Sequence, residues 1–187
     1  MTGYVLATMV EGHGEVDAFP LLVRRLYPSL IVPRPVRVKR QKILQPDELV
    51  RTAKIADANI RQGGGRGGLL LLLDADFDCA ATMGPDLQRQ LSQSLGHRVV
   101  RCVMAVREFE SWLVAGDRRS EELPDEGRGG KGWLKHQHGR YSPAADQPHL
   151  TAGMDMERAE QVSRSFRRLR KVLGEFAAEA ERASISS

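Results

Sequence analysis

At 187 residues, with 41% apolar and 28% charged side chains, the chain has the length and composition of a protein with one good globular core. No apolar run approaches the ~20 residues of a membrane span, and Glu11 and Glu15 arrive too early for a signal peptide. Two cysteines, Cys79 and Cys102, are too few for a disulfide scaffold, so a reducing cytoplasm is the expected setting, and a net charge of +4 permits a nucleic-acid partner without demanding one.

In chain order, "YVLATMV" (4–10) predicts an apolar strand that ends on "EGHGE", and a helix follows from near Glu15 with Pro20 in its early turns. "RPVRVKR" (34–40) alternates apolar and basic residues and predicts a more exposed strand. Residues 45–62 carry Leu49, Val50, Ala53, Ile55, Ala56 and Ile60 at a helical period, and "GGGRGG" then turns the chain. "LLLLLDADFDCA" (69–80) begins as a strand buried on both faces and stops on Asp74, Asp76 and Asp78. "GPDLQRQLSQSLG" predicts a helix with Pro85 at its start, "HRVVRCVMAV" (97–106) a fourth strand, and "REFESWLVAG" a short helix.

This β-α-β-α-β-α-β-α order predicts an α/β fold of Rossmann-like type: a mostly parallel four-stranded sheet flanked by helices, formed by residues 1–116. Residues 117–187 are expected to add a charged, glycine-rich loop, a stretch of no firm period and a helical C-terminal extension. The extension's last helix, from Met156 to about Arg182, carries a stripe of Val162, Phe166, Leu169, Leu173 and Phe176. The stripe either docks back on the sheet or meets a partner helix.

In open α/β sheets ligands bind beyond the carboxyl ends of the strands. Glu11 follows the first strand, Asp74 and Asp76 the third, and Glu108 and Glu110 the fourth, so all are expected on one edge. Gathered carboxylates repel unless a cation sits among them, and several hard oxygen donors suit Mg²⁺ or Mn²⁺. The alternative is that Asp-x-Asp is a turn or helix-capping device. On this reading the metal ligands are Glu11, Asp74 and Asp76, with Glu110 a plausible further one. Glu15 serves as a second-metal ligand or an outer orienter. Glu11 is a ligand or a general base, which spacing does not separate. Glu108 and Asp78 support the ligands or face solvent. Lys131, Lys135 and Arg140, and the basic face of the last helix at Arg167 and Arg168, are candidates for backbone phosphate, while His136 and His138 lack the neighbours of a transition-metal site.

"VEGHGEVDAF" beside "LLLLLDADFD" resembles the TOPRIM domain, in which a glutamate follows the first strand and an Asp-x-Asp the third. With "REFESWLVAG", "KGWLKHQHGRY" and "SRSFRRL" the chain looks most like the bacterial domain-of-unknown-function family 4276, over nearly its whole length. The resemblance implies a TOPRIM-like core and Mg²⁺-dependent phosphodiester hydrolysis of DNA or RNA, as in OLD-type nucleases, in a defence or DNA-processing system. It matches Glu11 to the TOPRIM glutamate, Asp74 and Asp76 to the aspartate pair, and Glu15 to the second glutamate of the OLD-like form. It supports neither strand passage nor primase chemistry, and it implies that any ATPase partner is a separate polypeptide. The rival expectation is a non-catalytic module of the same type that binds nucleic acid or a partner protein.

Overall fold

The computed structural model describes residues 3–96, 98–121 and 129–185. It is α/β. Strands β1 (Val5–Val10), β2 (Val36–Arg37), β3 (Gly67–Asp74) and β4 (Val99–Ala105) form one all-parallel sheet in the order β2-β1-β3-β4. Helices α1 (Glu15–Leu26), α2 (Arg40–Ile43), α3 (Pro46–Gln62), α4 (Ala80–Ser94) and α5 (Phe109–Ala115) alternate with the strands, and α6 (Gly130–His138), α7 (Pro143–Gly153), α8 (Met156–Val162) and α9 (Arg164–Ile185) follow. Among the described residues no helix is long and apolar enough to cross a membrane.

The period of two along a strand divides the central pair between two cores. Leu70 and Leu72 of β3, with Leu6 and Val10 of β1, pack under α1, α5 and α9. Leu69, Leu71 and Leu73, with Val5, Ala7 and Met9, pack under α3 and α4. That is why an unbroken leucine run is stable here: each residue finds a covered face. Phe166, Leu169, Leu173 and Phe176 are fully buried in the first core, so the stripe on the last helix docks on the sheet. Trp112 of α5 meets this stripe, its ring 5.8 Å from that of Phe166 and 5.4 Å from that of Phe109 in its own helix.

Several elements differ from the expected ones. The strand expected over 34–40 shrinks to Val36–Arg37, because Pro33 and Pro35 cannot donate to a ladder and Lys39 already begins α2. Helix α4 starts at Ala80, before Gly84, and carries Pro85 inside it. The proline leaves the Ala81 carbonyl without its helical donor, and Ala81 is exposed where water can supply one. The stretch 133–149, which has no firm period, is largely helical in α6 and α7. The single helix expected from Met156 is broken at Ser163, whose Oγ accepts from Phe166 N at 3.2 Å and so caps α9. Of the loop expected at 117–132, residues 122–128 lie outside the described residues, as does His97 at the start of the fourth predicted strand.

Connections leave β1 toward β2 and β3 toward β4 in opposite directions, so the sheet has its switch point between the carboxyl ends of β1 and β3. The register sets Val10 beside Leu72 and Asp74 beside Ala105, which places Glu11 and Asp74 on the two lips of that gap.

Phe166→Ala removes a fully buried ring shared by sheet, α5 and α9, and is expected to destabilise the protein by about 3–5 kcal/mol. Urea unfolding followed by tryptophan emission and by helical circular dichroism should show one shared transition, shifted to lower urea. Two separated transitions would mean that the C-terminal helices unfold independently of the sheet.

Candidate functional site

A cleft of about 620 Å³ opens at the switch point. Five carboxylates (Glu11, Glu15, Asp74, Asp76, Glu110) and four cationic side chains (Arg37, Lys39, Arg40, Lys131) line it, so its total charge nearly balances. The charges are not evenly mixed.

The inner part is built from Glu15, Asp74 and Glu110. The turn Gly12–Gly14 folds the chain back after β1, and Glu15 opens α1 with its carboxylate reaching Glu11 N at 3.2 Å. Burial pushes Glu15 up to about 7, and the neighbouring Glu110 and Glu11 add to the rise against the backbone amides that it accepts from. Asp74 ends β3, and its Oδ1 accepts from Phe109 N at 2.7 Å, which ties the strand to the start of α5. Burial, then the charges of Glu15 and Glu110, hold Asp74 well above the usual carboxylate range.

Glu110, in the first turn of α5, is completely buried, and burial raises its pKa. Its Oε1 accepts from Tyr141 Oη and from Gln147 Nε2, each at 2.9 Å. Its Oε2 has no hydrogen-bond partner, though Lys131 Nζ lies 3.6 Å away. Two glycines make this enclosure. At Gly14 a Cβ would collide with Gln147 Oε1 and the Pro143 carbonyl, and at Gly130 with the backbone of Glu110. Lys131 pairs with Glu108 at 2.8 Å, and its backbone N donates to Glu108 Oε1 at 2.7 Å. Burial alone would lower the Lys131 pKa, but the bond to Glu108 and the charges of Glu110, Glu108 and Asp74 raise it overall.

The outer part is organised by Arg40. Its Nη1 donates to the Asp74 carbonyl at 2.7 Å and to Glu11 Oε2 at 3.3 Å, and its Nη2 pairs with Asp78. Burial raises the Glu11 pKa, and Arg40 opposes that rise. Asp76 and Arg107 both hold a left-handed backbone, at φ 48° and 61°, and Asp76 N donates to the Arg107 carbonyl at 2.8 Å. Non-glycine residues rarely sit there, and such positions gather at functional sites. The loops after β3 and β4 thus brace each other.

Glu11, Glu15, Asp74, Asp76, Glu110 and Lys131 therefore share one cleft. Lys135, Arg140, His136 and His138 are exposed on and after α6, and none of them lines the cleft. Arg167 donates to the Glu160 and Gln161 carbonyls, each at 2.7 Å, and closes the end of α8. Arg168 lines a different groove, between α4, β4 and α9. Sequence reasoning passed over Arg37, Arg40, Tyr141 and Gln147. The rule that brought the acids to one edge applies equally to Arg37 and Arg40 after β1's neighbour. Ser142-Pro143, a capping residue followed by proline at the first helical position, marks the start of α7.

The donor set is all carboxylate oxygen, and Glu110 Oε2 is buried without a hydrogen bond, so in chemical type the residues suit a hard divalent cation. Among the described residues, no three His, Cys, Asp or Glu side chains lie close enough together to hold an ion in common. A comparison with family models found no match, and comparisons with curated proteins and with solved structures found none either.

The raised pKa values make the metal-free protein sensitive to pH. A carboxyl whose pKa is higher folded than unfolded contributes stability below its unfolded value and loses it as pH rises through its folded value. For Glu15 the loss therefore falls between pH ~4.5 and about 7. Melting temperatures in EDTA should drop over this window by the equivalent of roughly 1–3 kcal/mol. Glu15→Gln, which keeps an acceptor for Glu11 N, should flatten the drop and melt higher than wild type at pH 8. An unchanged slope would mean that Glu15 is hydrated and ionised throughout.

Proposed function

We propose that the chain is a Mg²⁺- or Mn²⁺-dependent phosphodiester hydrolase of TOPRIM type acting on DNA or RNA. The observation that carries this reading is the delivery of carboxylates from β1, β3 and the start of α5 to a single cleft at the sheet's switch point. Glu11, Glu15, Asp74, Asp76 and Glu110 would supply the ligands, and since no three of them stand close enough to share an ion, those that hold the cation would have to draw together around it. A divalent cation so held supplies charge neutralisation to the phosphate and to the oxygen that leaves. The chain's own residues do the rest. Lys131 and Arg37 bring positive charge to the cleft walls, where a phosphodiester backbone is attracted. Tyr141 and Gln147 fix the Glu110 carboxylate through Oε1, which leaves Oε2 without a hydrogen bond, 3.6 Å from Lys131 Nζ. Gln147, Tyr141 and the start of α7 also exclude water from the inner acids, which strengthens every electrostatic contact made there. The defence or DNA-processing setting, the cytoplasmic location and a separate ATPase partner belong to the same proposal and rest on the resemblance.

A specific observation favours the second reading, a non-catalytic module that binds nucleic acid or a partner. Arg40 already answers Glu11, and Lys131 answers Glu108 and Glu110, so cations of the chain itself occupy part of the place an ion would take.

One assay separates the two. Wild type and Asp74→Ala are incubated with Mn²⁺ or Mg²⁺ and single- or double-stranded DNA and RNA, alone and with an ATPase encoded nearby. Hydrolysis should fall by ~10²-fold or more in Asp74→Ala and in Glu11→Ala, and Ca²⁺ should support binding better than turnover. Lys135→Ala, Arg140→Ala and Arg168→Ala should weaken binding and flatten its salt dependence without touching the chemistry. Equal cleavage by wild type and Asp74→Ala would overturn the site, and binding that needs no metal, with no cleavage by either, would leave the binding module.

A further inference from the structure

Phe77 is 95% exposed, and among the described residues the next most exposed large apolar side chain is Leu44 at 62%. Burying a phenylalanine stabilises a fold by roughly 1.5–3 kcal/mol, so a ring left wholly in water forgoes a contribution that the core would have taken. The ring is also held out rather than loose. Residues 75–78 form a tight turn in which Asp78 N donates to the Ala75 carbonyl at 2.7 Å. Asp76 before it is pinned to the Arg107 carbonyl at φ 48°, and Asp78 after it is paired with Arg40. Asp76 lines the cleft and Asp78 is tied to Arg40, which also lines it, so the aromatic ring between them stands beside the cleft.

We propose that Phe77 is a stacking platform for one unpaired nucleobase, so that the substrate class is single-stranded or locally unpaired nucleic acid. This rests on the nucleic-acid reading given above. Asp76 lines the cleft and Phe77 follows it with Cα atoms about 3.8 Å apart, so a strand whose phosphates follow the cleft's basic side chains brings a base to the Phe77 ring. Exposed Lys39, with Arg37 and Lys131, supplies the basic wall that tracks a backbone, and an aromatic beside such a wall is the pattern of single-strand binding. Asp76 and Asp78 flank the ring and repel a phosphate from it, which leaves the uncharged face of a base as the fitting occupant. A duplex keeps its base faces covered by their neighbours and has none to offer.

The test uses the full chain in Ca²⁺, so that binding is read without turnover, with a mixed-sequence single strand, its duplex, and an abasic oligomer of equal length. Phe77→Ala should weaken single-strand binding by about 5- to 100-fold and change duplex and abasic binding by less than about 2-fold. In Phe77→Trp the added emission, relative to wild type with its own tryptophans, should be quenched by the single strand and not by the abasic oligomer. Quenching and selective loss without any metal-dependent cleavage would uphold the stacking platform and sink the hydrolase reading. Cleavage that depends on Asp74 while Phe77→Ala binds single strands like wild type would do the reverse, and would leave the ring to a protein partner. An equal loss for the abasic oligomer, or no binding of any polymer, also overturns the platform.

Discussion

Carboxylates do not gather in a poorly hydrated place unless something positive comes with them, and the architecture around the switch point follows from that constraint. Burial raises the pKa of Glu15, Asp74 and Glu110, Glu110 adds to the rise at the other two and Glu15 to that at Asp74, and the chain answers with Lys131 on the inner side and Arg40 on the outer. Arg40 is stretched across three elements to do so, reaching β3's last carbonyl, the residue after β1 and Asp78. Lys131 is held by Glu108 through both its backbone and its side chain. The close approaches at Gly14 and Gly130 serve the same end, because they let Gln147, Tyr141 and α6 come near enough to meet Glu110.

Two kinds of polar group are therefore at work in one cleft. Those around Glu110 lie in the interior and hold its Oε1 through Tyr141 and Gln147, leaving Oε2 without a hydrogen bond. Those around Arg40 and Asp76 lie at the surface, and the backbone strain at Asp76 and Arg107 is sustained by a bond between the two loops. Rigid interior and braced rim together make a site whose parts keep their places before any ligand arrives, which is the general requirement for strong electrostatic action on a bound charge.

The leucine strand was legible because its burial on both faces leaves an unbroken apolar run, and the last helix because Phe166, Leu169, Leu173 and Phe176 keep a helical spacing. The edge assignment of the acids was legible for the same reason, since strand ends can be counted once strands are known. Helix α7 escaped because the residues it buries are Gln147 and Thr151, which carry no hydrophobic period to read. Arg40 escaped because at the end of an alternating basic strand it looks like any solvent-facing cation, and its bonds to Glu11, Asp74 and Asp78 leave no hydrophobic period to read. The break at Ser163 shows only in a capping hydroxyl, which looks in sequence like any exposed serine. Pattern reading finds what hydrophobicity arranges, and it misses what polar burial arranges.

The packing of α7 against α1 joins distant parts of the chain, as in the bond from Arg25 to the Thr151 carbonyl, 126 positions apart. Synthesis runs from the N-terminus at ~5–20 residues per second, so β1, β3 and their acids exist before Tyr141 and Gln147 do. Until those residues arrive the carboxylates face water, and hydration relieves their crowding. The desolvated site is then a property of the finished chain alone. A nascent or truncated product would carry the acids without the enclosure that desolvates them.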